Sequence, residues 1–335
     1  MLKEYMYDGS REFVLSKVST DETSLESDRK KAEAKMNENF DKIYELQEKL
    51  YAEKKEGVIF LFQAMDAAGK DGTINAVLTC LSPHGVDEIA FKSPSSTEQA
   101  HDYLWRIEQA VPMKGNIAIF NRSHYEEVLI YRVKKLWEVQ AHADRIDPEK
   151  HLDIRYQDIC NYERYLWNNS VRTVKIFLNV SKKEQALRFL SRIEEPEKNW
   201  KFSASDYEER KYWDDYQEAF EIAINKTATK EAPWYVVPAD HKWYMRYVVS
   251  EIILHTLEEM DPQYPKVTKE RLEEFARYKA ELEQEVGKQE KTKKKDTIDK
   301  KDTKDKKDTK DKKDKKDKKD KKDKDDKKDK GFPAE

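Results

Sequence analysis

A short stretch of the chain, residues 64–73 (AMDAAGKDGT), combines the residue types that proteins use to hold phosphate groups. Lys70 offers an ammonium group to phosphate oxygens, and Asp66 offers a carboxylate to the Mg²⁺ that bridges them. Gly69 and Gly72 allow the backbone N–H groups to approach an anion closely. If a buried strand precedes this stretch and a helix follows it, the stretch is a phosphate-binding loop.

The stretch departs from the standard nucleotide-binding pattern G-x-x-x-x-G-K-[ST]. Ala64 stands where the first glycine belongs, and Asp71 with Gly72 separates Lys70 from Thr73. Ala64 costs the loop some flexibility, and Asp71 adds negative charge near the phosphates. An ordinary strand-to-helix turn that happens to contain glycines is therefore the alternative interpretation of this stretch alone.

A second polar group lies in the stretch IFNRSHYEEVLIYRV (119–133). Its residues 121–123, Asn-Arg-Ser, fall at the end of another predicted strand, where open parallel sheets place their ligands. Arg122 can hold phosphate oxygens with its forked guanidinium. Glu126 and Glu127 begin the next predicted helix, and acidic residues there also serve simply to balance the helix dipole.

The lid segment (about residues 195–232) is rich in charged residues, aromatic residues and helix formers. In and just before it lie the cations Arg188, Arg192, Lys198, Lys201 and Arg210, interleaved with Trp200, Phe202, Tyr207, Trp213 and Tyr216. Each cation taken singly suits a solvated surface, and the aromatic side chains suit packing better than base stacking. Together, in an otherwise acidic body, the cations indicate a wall that closes over polyanions.

No residue in these stretches is an evident general base. His124 lies in the second stretch, but a capping or packing role suits it better than catalysis. An alcohol that accepts a phosphoryl group usually needs a positioned base, whereas a phosphate acceptor is already an anionic nucleophile. This pattern favours a phosphate acceptor, for which cations and a metal ion bring two polyanions together.

Short apolar runs separated by helical patterns predict the elements that position these groups. The runs cover 57–64, 116–121, 173–180 and 234–239, and the helical patterns cover about 96–110, 123–137, 148–168, 181–194 and 241–258. Before them come an irregular or hairpin-like arm at 1–20 and a long amphipathic helix through Met36 and Tyr51. Buried strands that alternate with helices indicate βαβ crossovers. The sequence predicts a three-layer α/β/α fold with a parallel sheet and a helical lid.

Charge is unevenly distributed along the 335 residues, which include 65 basic and 68 acidic residues. Residues 291–330 contain 22 Lys and 13 Asp. Because Asp–Lys repeats have little apolar surface to bury, we expect a disordered tail at 291–335 after a phosphotransferase domain at 1–290. A solubilising role for the tail is favoured over polyphosphate capture, and its Asp residues argue against nucleic-acid binding.

The two cysteines, Cys80 and Cys160, lie far apart and indicate neither a disulfide framework nor a zinc site. No window approaches the roughly 20 apolar residues that span a bilayer. These features predict a cytoplasmic protein without a membrane partner.

Four segments in order, QAMDAAGKDGT, FNRSHYEEVL, EEPEKNWKFSASD and APWYVVPADHKWY, resemble the second family of polyphosphate kinases over about residues 10–265. Within that family the chain is similar to the subgroup that accepts AMP as well as ADP, since Asn121 stands where the ADP-only subgroup typically has aspartate. The resemblance implies a P-loop kinase fold similar to thymidylate kinase. It also implies reversible transfer of the terminal phosphoryl group of inorganic polyphosphate to AMP and ADP, giving ADP and ATP, with Mg²⁺ or Mn²⁺, in a homo-oligomer such as a dimer or tetramer.

The resemblance also assigns roles by position. Asp66 would bind the metal, Lys70 and Arg122 would stabilise charge on the transferred group, and Asn121 and Glu126 would lie near the acceptor and the metal. The phosphate-binding residues would be Ala67, Ala68, Gly69, Lys70, Asp71, Gly72 and Thr73 of the Walker A-like loop, with Arg192, Lys198, Lys201 and Arg210 along a polyphosphate channel. Asp206 would orient the lid cations.

Two other functions fit parts of the sequence. A nucleoside or nucleotide kinase that takes its phosphoryl group from an NTP would use the same loop and lid. A non-enzymatic polyanion-binding protein would instead rely on the tail. A GTPase switch is disfavoured, because the stretch NKTA at 225–228 ends in alanine and does not match N-K-x-D.

Overall fold

A computed structural model describes residues 2–140 and 143–287 of the chain. Contacts divide the chain into two units, residues 1–265 and 266–335. The second unit contributes one described helix, residues 269–287. The predicted tail at 291–335 lies outside the described residues, and all the predicted site residues lie in the first unit.

The first unit is built on a six-stranded sheet. The strands are β1 (Met6–Tyr7), β2 (Gly57–Ala64), β3 (Val86–Ala90), β4 (Ile117–Asn121), β5 (Val171–Asn179) and β6 (Trp234–Pro238). Their order across the sheet is β1-β6-β5-β2-β4-β3; β1 runs antiparallel to β6, and all other neighbours pair in parallel. The central strand β2 is buried along nearly its whole length, as its continuous apolar run predicts.

Ten helices in the described part of the first unit connect and cover the strands. They are α1 (Arg29–Glu53), α2 (Lys70–Leu78), α3 (Ser96–Gln99), α4 (Trp105–Glu108), α5 (Ile130–Val133), α6 (Pro148–Asn168), α7 (Lys182–Glu194), α8 (Ala204–Glu209), α9 (Trp213–Thr227) and α10 (Lys242–Met260). Short 3-10 turns occur at Leu2–Glu4, Leu15–Lys17, His124–Glu127, Leu136–Glu138, Pro196–Lys201 and Arg210–Tyr212. No helix in this or the other described part of the chain combines the length and apolar character needed to cross a membrane.

The helices form two layers, one on each face of the sheet. Helix α10 packs against α1, α2 and β6, whereas α6 packs against β5 and α9. The connection through α2 leads from β2 towards the β3 edge of the sheet, and the connection through α6 leads from β4 back to β5, in the opposite direction. Right-handed crossovers in opposite directions place these two helices on opposite faces of the sheet. The predicted three-layer α/β/α fold is confirmed, and its reversal point falls at β2, where such folds bind ligands.

Two strands were not predicted from the sequence. Strand β1 contains two residues and pairs only at the edge of the sheet. Strand β3, with the sequence VDEIA, lies at the other edge, and all five of its residues are exposed or partly exposed. Neither strand has the continuous apolar run that marks a fully buried parallel strand.

The continuous helix predicted at 96–110 is wrong. The Asp102 side chain accepts a hydrogen bond from the backbone N–H of Leu104, at 3.0 Å, and its carbonyl accepts one from Trp105. Aspartate competes in this way with the helical backbone. The chain therefore forms α3, a turn, and α4.

The continuous helix predicted at 123–137 is also wrong. The Glu127 carbonyl, which would accept a helical hydrogen bond from Tyr131, instead accepts one from Arg155 Nη1 at 3.1 Å. The chain forms a 3-10 turn at His124–Glu127 followed by the single turn α5. A side chain from α6 thus interrupts a pattern that is helical by spacing alone.

Candidate active site

The loop at 64–73 joins β2 to α2, as the sequence predicts. Ala67 and Gly69 have φ angles of 59° and 98°, in the left-handed region. The backbone N–H groups of Ala67 and of residues 69–72 donate no hydrogen bond to any residue that the structure describes. Unpaired N–H groups at the start of a helix are a binding site for anions.

Gly69 is required by its surroundings as well as by its φ angle. A Cβ atom at this position would lie 3.2 Å from Cε of Met245 and 3.3 Å from Nη1 of Arg188. Both contacts are tighter than ordinary van der Waals packing. The loop is therefore pressed between α7 and α10 at its glycine.

Arg122 reaches the same place from the neighbouring strand β4. Its Nη2 lies 3.3 Å from Oδ1 of Asp66. Arg122 has a φ angle of 66°, and its backbone N–H donates to the carbonyl of Phe62 on β2 at 3.1 Å. A non-glycine residue held in this conformation at the end of a strand is a strained position of the kind found at functional sites. Two polar side chains that are 56 residues apart in sequence meet here.

The electrostatic environment of Lys70 is unusual. Burial and, to a smaller extent, the nearby Arg122 cation lower the pKa of its ammonium group to about 8, against the opposing effect of Glu126, Asp71 and Asp66. Two cations therefore lie close together in a partly desolvated site. Repulsion between the two cations costs free energy when no anion is bound, and it favours the binding of an anion between Lys70 and Arg122.

Asp66 is perturbed in the opposite direction. Burial raises the pKa of its carboxyl above the ordinary value, and the carboxylates of Asp206 and Glu126 add to this effect, although Arg122 and Lys70 oppose it. For Arg122 itself, burial lowers the pKa, but Glu126, Asp66 and Asp206 outweigh it and keep the guanidinium charged. Three carboxylates and two cations thus influence one another at the ends of β2 and β4.

Asn121 and Glu126 have different supporting contacts. Asn121 Nδ2 donates to Oδ1 of Asp71 at 3.1 Å, which connects β4 to the first turn of α2. Glu126 is next to Gln63, a buried residue of β2. With the Gln63 amide oriented to satisfy both of its ends, its nitrogen donates to Glu126 Oε1 at 3.0 Å and its oxygen accepts from Ser123.

The two adjacent glutamates separate into different environments. Glu126 acts electrostatically on Lys70 and Arg122. Glu127 Oε2 instead forms an ion pair with Nη1 of Arg155 at 2.7 Å. Glu126 therefore belongs to the candidate site, and Glu127 fastens the following turn to α6.

His124 and Thr73 are both buried. The His124 ring packs against Tyr125, at 4.8 Å between ring centroids, and its Nε2 lies 3.8 Å from Glu163. The Thr73 hydroxyl donates to the Gly69 carbonyl at 3.1 Å. Neither side chain reaches the cluster formed by Asp66, Lys70 and Arg122 through a hydrogen bond in the described structure.

The lid cations form contacts mainly within the lid. Arg192 Nη1 lies 3.7 Å from Oδ2 of Asp206 and donates to the Lys201 carbonyl at 3.1 Å. Lys198 pairs with Glu195 and donates to Ser191, at 3.0 Å. These contacts hold the turn at Pro196–Lys201 against the end of α7.

The two further predicted lid cations, Lys201 and Arg210, have separate contacts. Lys201 Nζ lies 4.9 Å from the centroid of the exposed Trp200 ring, and Arg210 donates to the Lys182 carbonyl at 3.3 Å. Asp206 connects the lid with the loop, since its carboxylate influences the pKa of both Asp66 and Arg122.

Arg188 and α9 differ from their sequence-based interpretation. Arg188 is only 6% exposed and does not belong to a solvent-facing cationic wall. In α9, Phe220 stacks on Phe177 of β5 at 4.1 Å, so this helix packs on the sheet. Its first turn still reaches the site, because Tyr216 interacts electrostatically with Glu126 and Asp66.

The carboxylate of Asp66 is suited to bind a metal ion at this site. Within the residues that the structure describes, no group of three or more His, Cys, Asp or Glu side chains is arranged to hold a metal by itself. Mg²⁺, however, usually binds through one or two carboxylates together with waters and substrate phosphates. Asp66, a partly exposed carboxylate beside other carboxylates, fits a metal that arrives with a phosphate chain.

Sequence reasoning missed two buried side chains that support the site, Gln63 and Gln185, and it placed a third, Arg188, among the lid cations. Polar residues within an apolar strand or on the inner face of an amphipathic helix are a signal that could have identified them, since such groups are rarely buried without partners. Their partners, by contrast, are distant in sequence and are revealed only by the fold.

The sequence and the fold of this chain are similar to those of known proteins. The family model described as Polyphosphate kinase 2 matches residues 26–265. The chain is 45% identical over 252 residues to an ADP-polyphosphate phosphotransferase of Rhodopseudomonas palustris, covering 72% of this chain and 84% of the relative. It is 44% identical over 269 residues to an AMP/ADP-polyphosphate phosphotransferase of Meiothermus ruber, covering 79% of this chain and 96% of the relative.

A solved structure is also similar. The crystal structure of Polyphosphate Kinase 2 from Arthrobacter aurescens TC1 superposes with a TM-score of 0.75 at 38% identity. The match covers 82% of this chain and 94% of that chain.

Proposed function

Since this chain belongs to the polyphosphate kinase 2 family, we propose that it transfers the terminal phosphoryl group of inorganic polyphosphate to AMP and to ADP, forming ADP and ATP. The chain is a polyphosphate-dependent nucleotide phosphotransferase. The observation that carries the assignment to this site is the electrostatic proximity of Lys70 and Arg122, two cations that follow different strands, beside a loop with unpaired N–H groups.

The chemistry follows from these groups. A phosphate oxygen of the acceptor nucleotide attacks the terminal phosphorus of the polyphosphate, and the bond from that phosphorus to the bridging oxygen breaks. The leaving group is a polyphosphate chain shortened by one phosphate. Negative charge on the transferred group is shared among its oxygens in the transition state, so Lys70 and Arg122 stabilise it electrostatically.

Metal dependence is a property of kinase reactions in this family, and we propose that Mg²⁺ is the ion, with Mn²⁺ as a substitute. A bound Mg²⁺ neutralises phosphate charge and orients the two phosphate groups. Asp66 is the residue that would hold it. Glu126 and Asn121 would lie near the metal and the acceptor, and the lid cations Arg192, Lys198, Lys201 and Arg210 would line the path of the remaining chain.

Acceptance of AMP rests on two features. Asn121, in place of an aspartate, keeps one negative charge away from the acceptor phosphate, and the Meiothermus ruber relative is named for both AMP and ADP. The Rhodopseudomonas palustris relative, at nearly the same identity, is named for ADP alone. An assay with each acceptor therefore has to decide the specificity.

The testing experiment omits ATP. The purified chain is incubated with Mg²⁺, long-chain polyphosphate and either AMP or ADP, and nucleotide products are followed over time. Formation of ADP and then ATP from AMP supports the full proposal. A polyphosphate-free control excludes conversion of two ADP molecules to AMP and ATP. Absence of product with polyphosphate, together with activity when ATP is the donor, would favour an ordinary nucleotide kinase.

The non-enzymatic alternative makes a separate prediction. If the chain served only to bind polyanions through its tail, deletion of residues 291–330 would abolish polyphosphate binding, and Lys70→Ala would not. We propose instead that deletion of residues 291–330 leaves polyphosphate binding intact and that Lys70→Ala abolishes it. A cytoplasmic location and a homo-oligomer, dimer or tetramer, also remain proposals, and sedimentation of the full chain tests the second.

A further inference from the structure

One face of α7 binds the carbonyl groups of the phosphate loop. Gln185 Nε2 donates to the carbonyl of Asp66 at 2.8 Å. Arg188 Nη1 donates to the carbonyls of Ala67, at 3.4 Å, and of Ala68, with a shorter contact. Three successive carbonyl groups of the loop therefore accept hydrogen bonds from two side chains of one helix.

The Arg188 guanidinium also binds on its other side. Its Nη2 donates to the carbonyls of Ala239, at 2.5 Å, and Asp240, at 3.2 Å, just after β6. Its Nε donates to Glu184 at 2.8 Å. All three guanidinium nitrogens are thus engaged, and the group joins the loop to the end of a second strand. A shorter or less planar side chain could not make these contacts together.

These contacts fix the direction of the loop N–H groups. In a trans peptide unit the carbonyl of one residue and the N–H of the next point in opposite directions. With the Asp66 and Ala68 carbonyls turned towards α7, the N–H groups of Ala67 and Gly69 are turned away from it. Both of these N–H groups lack a hydrogen-bond partner in the described structure, whereas the N–H of Ala68, between them, donates to Met65.

We propose that Gln185 and Arg188 are positioning residues that preset the phosphate-binding N–H groups of the loop before the phosphate chain arrives. The inference rests on the proposed function and deepens it. Neither side chain is assigned a contact with substrate; both act through the Asp66, Ala67 and Ala68 carbonyls. Because α7 leads directly into the lid turn at Pro196–Lys201, the same helix fixes the loop and carries the start of the lid.

The test compares binding with folding. The full-length variants Gln185→Met, Arg188→Met and Arg188→Lys are titrated calorimetrically with inorganic tripolyphosphate in the absence of nucleotide, and polyphosphate-dependent ATP formation from ADP is measured alongside. The stoichiometry reports the fraction of folded molecules, and the Kd reports the state of the loop in those molecules. Lys183→Met, an exposed change on the same helix, is the matched control.

We expect Gln185→Met and Arg188→Met to weaken tripolyphosphate binding about tenfold or more per folded molecule and to lower ATP formation at least as much. Arg188→Lys, which keeps the charge but cannot make all the contacts, should recover only part of the affinity. Lys183→Met should match the wild type.

The proposal is overturned if Gln185→Met, which removes a single hydrogen bond, keeps the wild-type Kd at full stoichiometry. It is also overturned if the Arg188 variants lose only stoichiometry, because a purely structural role gives that result. If the wild type binds tripolyphosphate but forms no ATP, the proposed function fails, and the binding data still decide the role of α7.

Discussion

The side-chain amide of Asn121 donates a hydrogen bond to the carboxylate of Asp71, at 3.1 Å between nitrogen and oxygen. The contact joins the end of β4 to the first turn of α2, beside Lys70. Both residues depart from a known pattern. Asn121 stands where the ADP-only subgroup typically has aspartate, and Asp71 is a departure from the standard nucleotide-binding loop. The pair therefore offers a direct way to test acceptor specificity.

Asn121→Asp is expected to lower the use of AMP relative to ADP. The substitution sets a second carboxylate against Asp71, and the added negative charge opposes an acceptor whose only phosphate must enter the site. The measurement is the ratio of kcat/KM for AMP to that for ADP, with polyphosphate as donor. The exchange Asp71→Asn with Asn121→Asp keeps both the hydrogen bond and the net charge, so it should restore the ratio. An unchanged ratio in Asn121→Asp would remove Asn121 from acceptor selection.

The pH dependence of turnover should report Lys70. Its pKa is lowered to about 8, so the ammonium is present below that pH and is lost as the pH rises through it. The second pKa of phosphate monoesters is about 6, so their ionisation is largely complete by pH 7 and does not account for a change in rate above that pH. We expect kcat/KM to fall between about pH 7 and 10, and the fall to disappear in Lys70→Arg, which stays charged. A wild-type profile that stays flat to pH 10 would exclude a charged Lys70 with this pKa from the rate-determining chemistry.

Glu126 and Glu127 provide a matched pair of neighbours. Glu127→Ala breaks the 2.7 Å ion pair with Arg155 and should lower the free energy of unfolding by about 1 to 3 kcal/mol, with little change in turnover per folded molecule. Glu126→Gln, which keeps an acceptor oxygen for the Gln63 amide, should leave stability nearly unchanged and reduce turnover at least about tenfold. Denaturant unfolding and the ATP-formation assay measure the two effects. The reverse pattern would show that the roles of the two residues have been exchanged.

A buried ion pair beneath the second polar stretch should dominate local stability. Lys175 is fully buried, with Nζ 2.7 Å from Glu163, and the ammonium lowers the pKa of that carboxyl in spite of its burial. Lys175→Met leaves a charge without its partner and should cost about 3 to 5 kcal/mol. Lys226→Met, which removes an exposed ion pair with Asp153, is the control and should cost under about 1 kcal/mol. Equal losses in denaturant unfolding would show that the buried pair contributes nothing special.

The sequence was sufficient to predict the meeting of Lys70 and Arg122. Each follows an apolar run that is long enough to be a buried strand, and parallel strands end at one edge of the sheet. The prediction did not extend to Gln185, and it assigned Arg188 to the solvent-facing lid cations. An arginine on an amphipathic helix is usually solvated, and nothing in the local pattern distinguishes the buried Arg188 from the partly exposed Arg192 four residues later.

The prediction of a continuous helix at 123–137 was wrong for a related reason. At 123–137 the spacing of apolar residues is helical, yet Arg155 captures the Glu127 carbonyl from another element. Local spacing carries no information about a competing donor that is 28 residues away in sequence. The parts that could be predicted depend on strand ends and short-range patterns, and the parts that could not depend on side chains brought in by the completed fold.

The most direct test of the central claim is the rate of ATP formation from polyphosphate and ADP, without added ATP, in Lys70→Met compared with the wild type and with the exposed control Lys114→Met. We expect a loss of at least a few hundredfold in Lys70→Met, since one cation on developing charge contributes about 3 to 4 kcal/mol. We also expect a thermal midpoint no lower than that of the wild type, because the buried ammonium is disfavoured by its surroundings. Wild-type turnover in a folded Lys70→Met variant would show that Lys70 does not stabilise the transferred phosphoryl group.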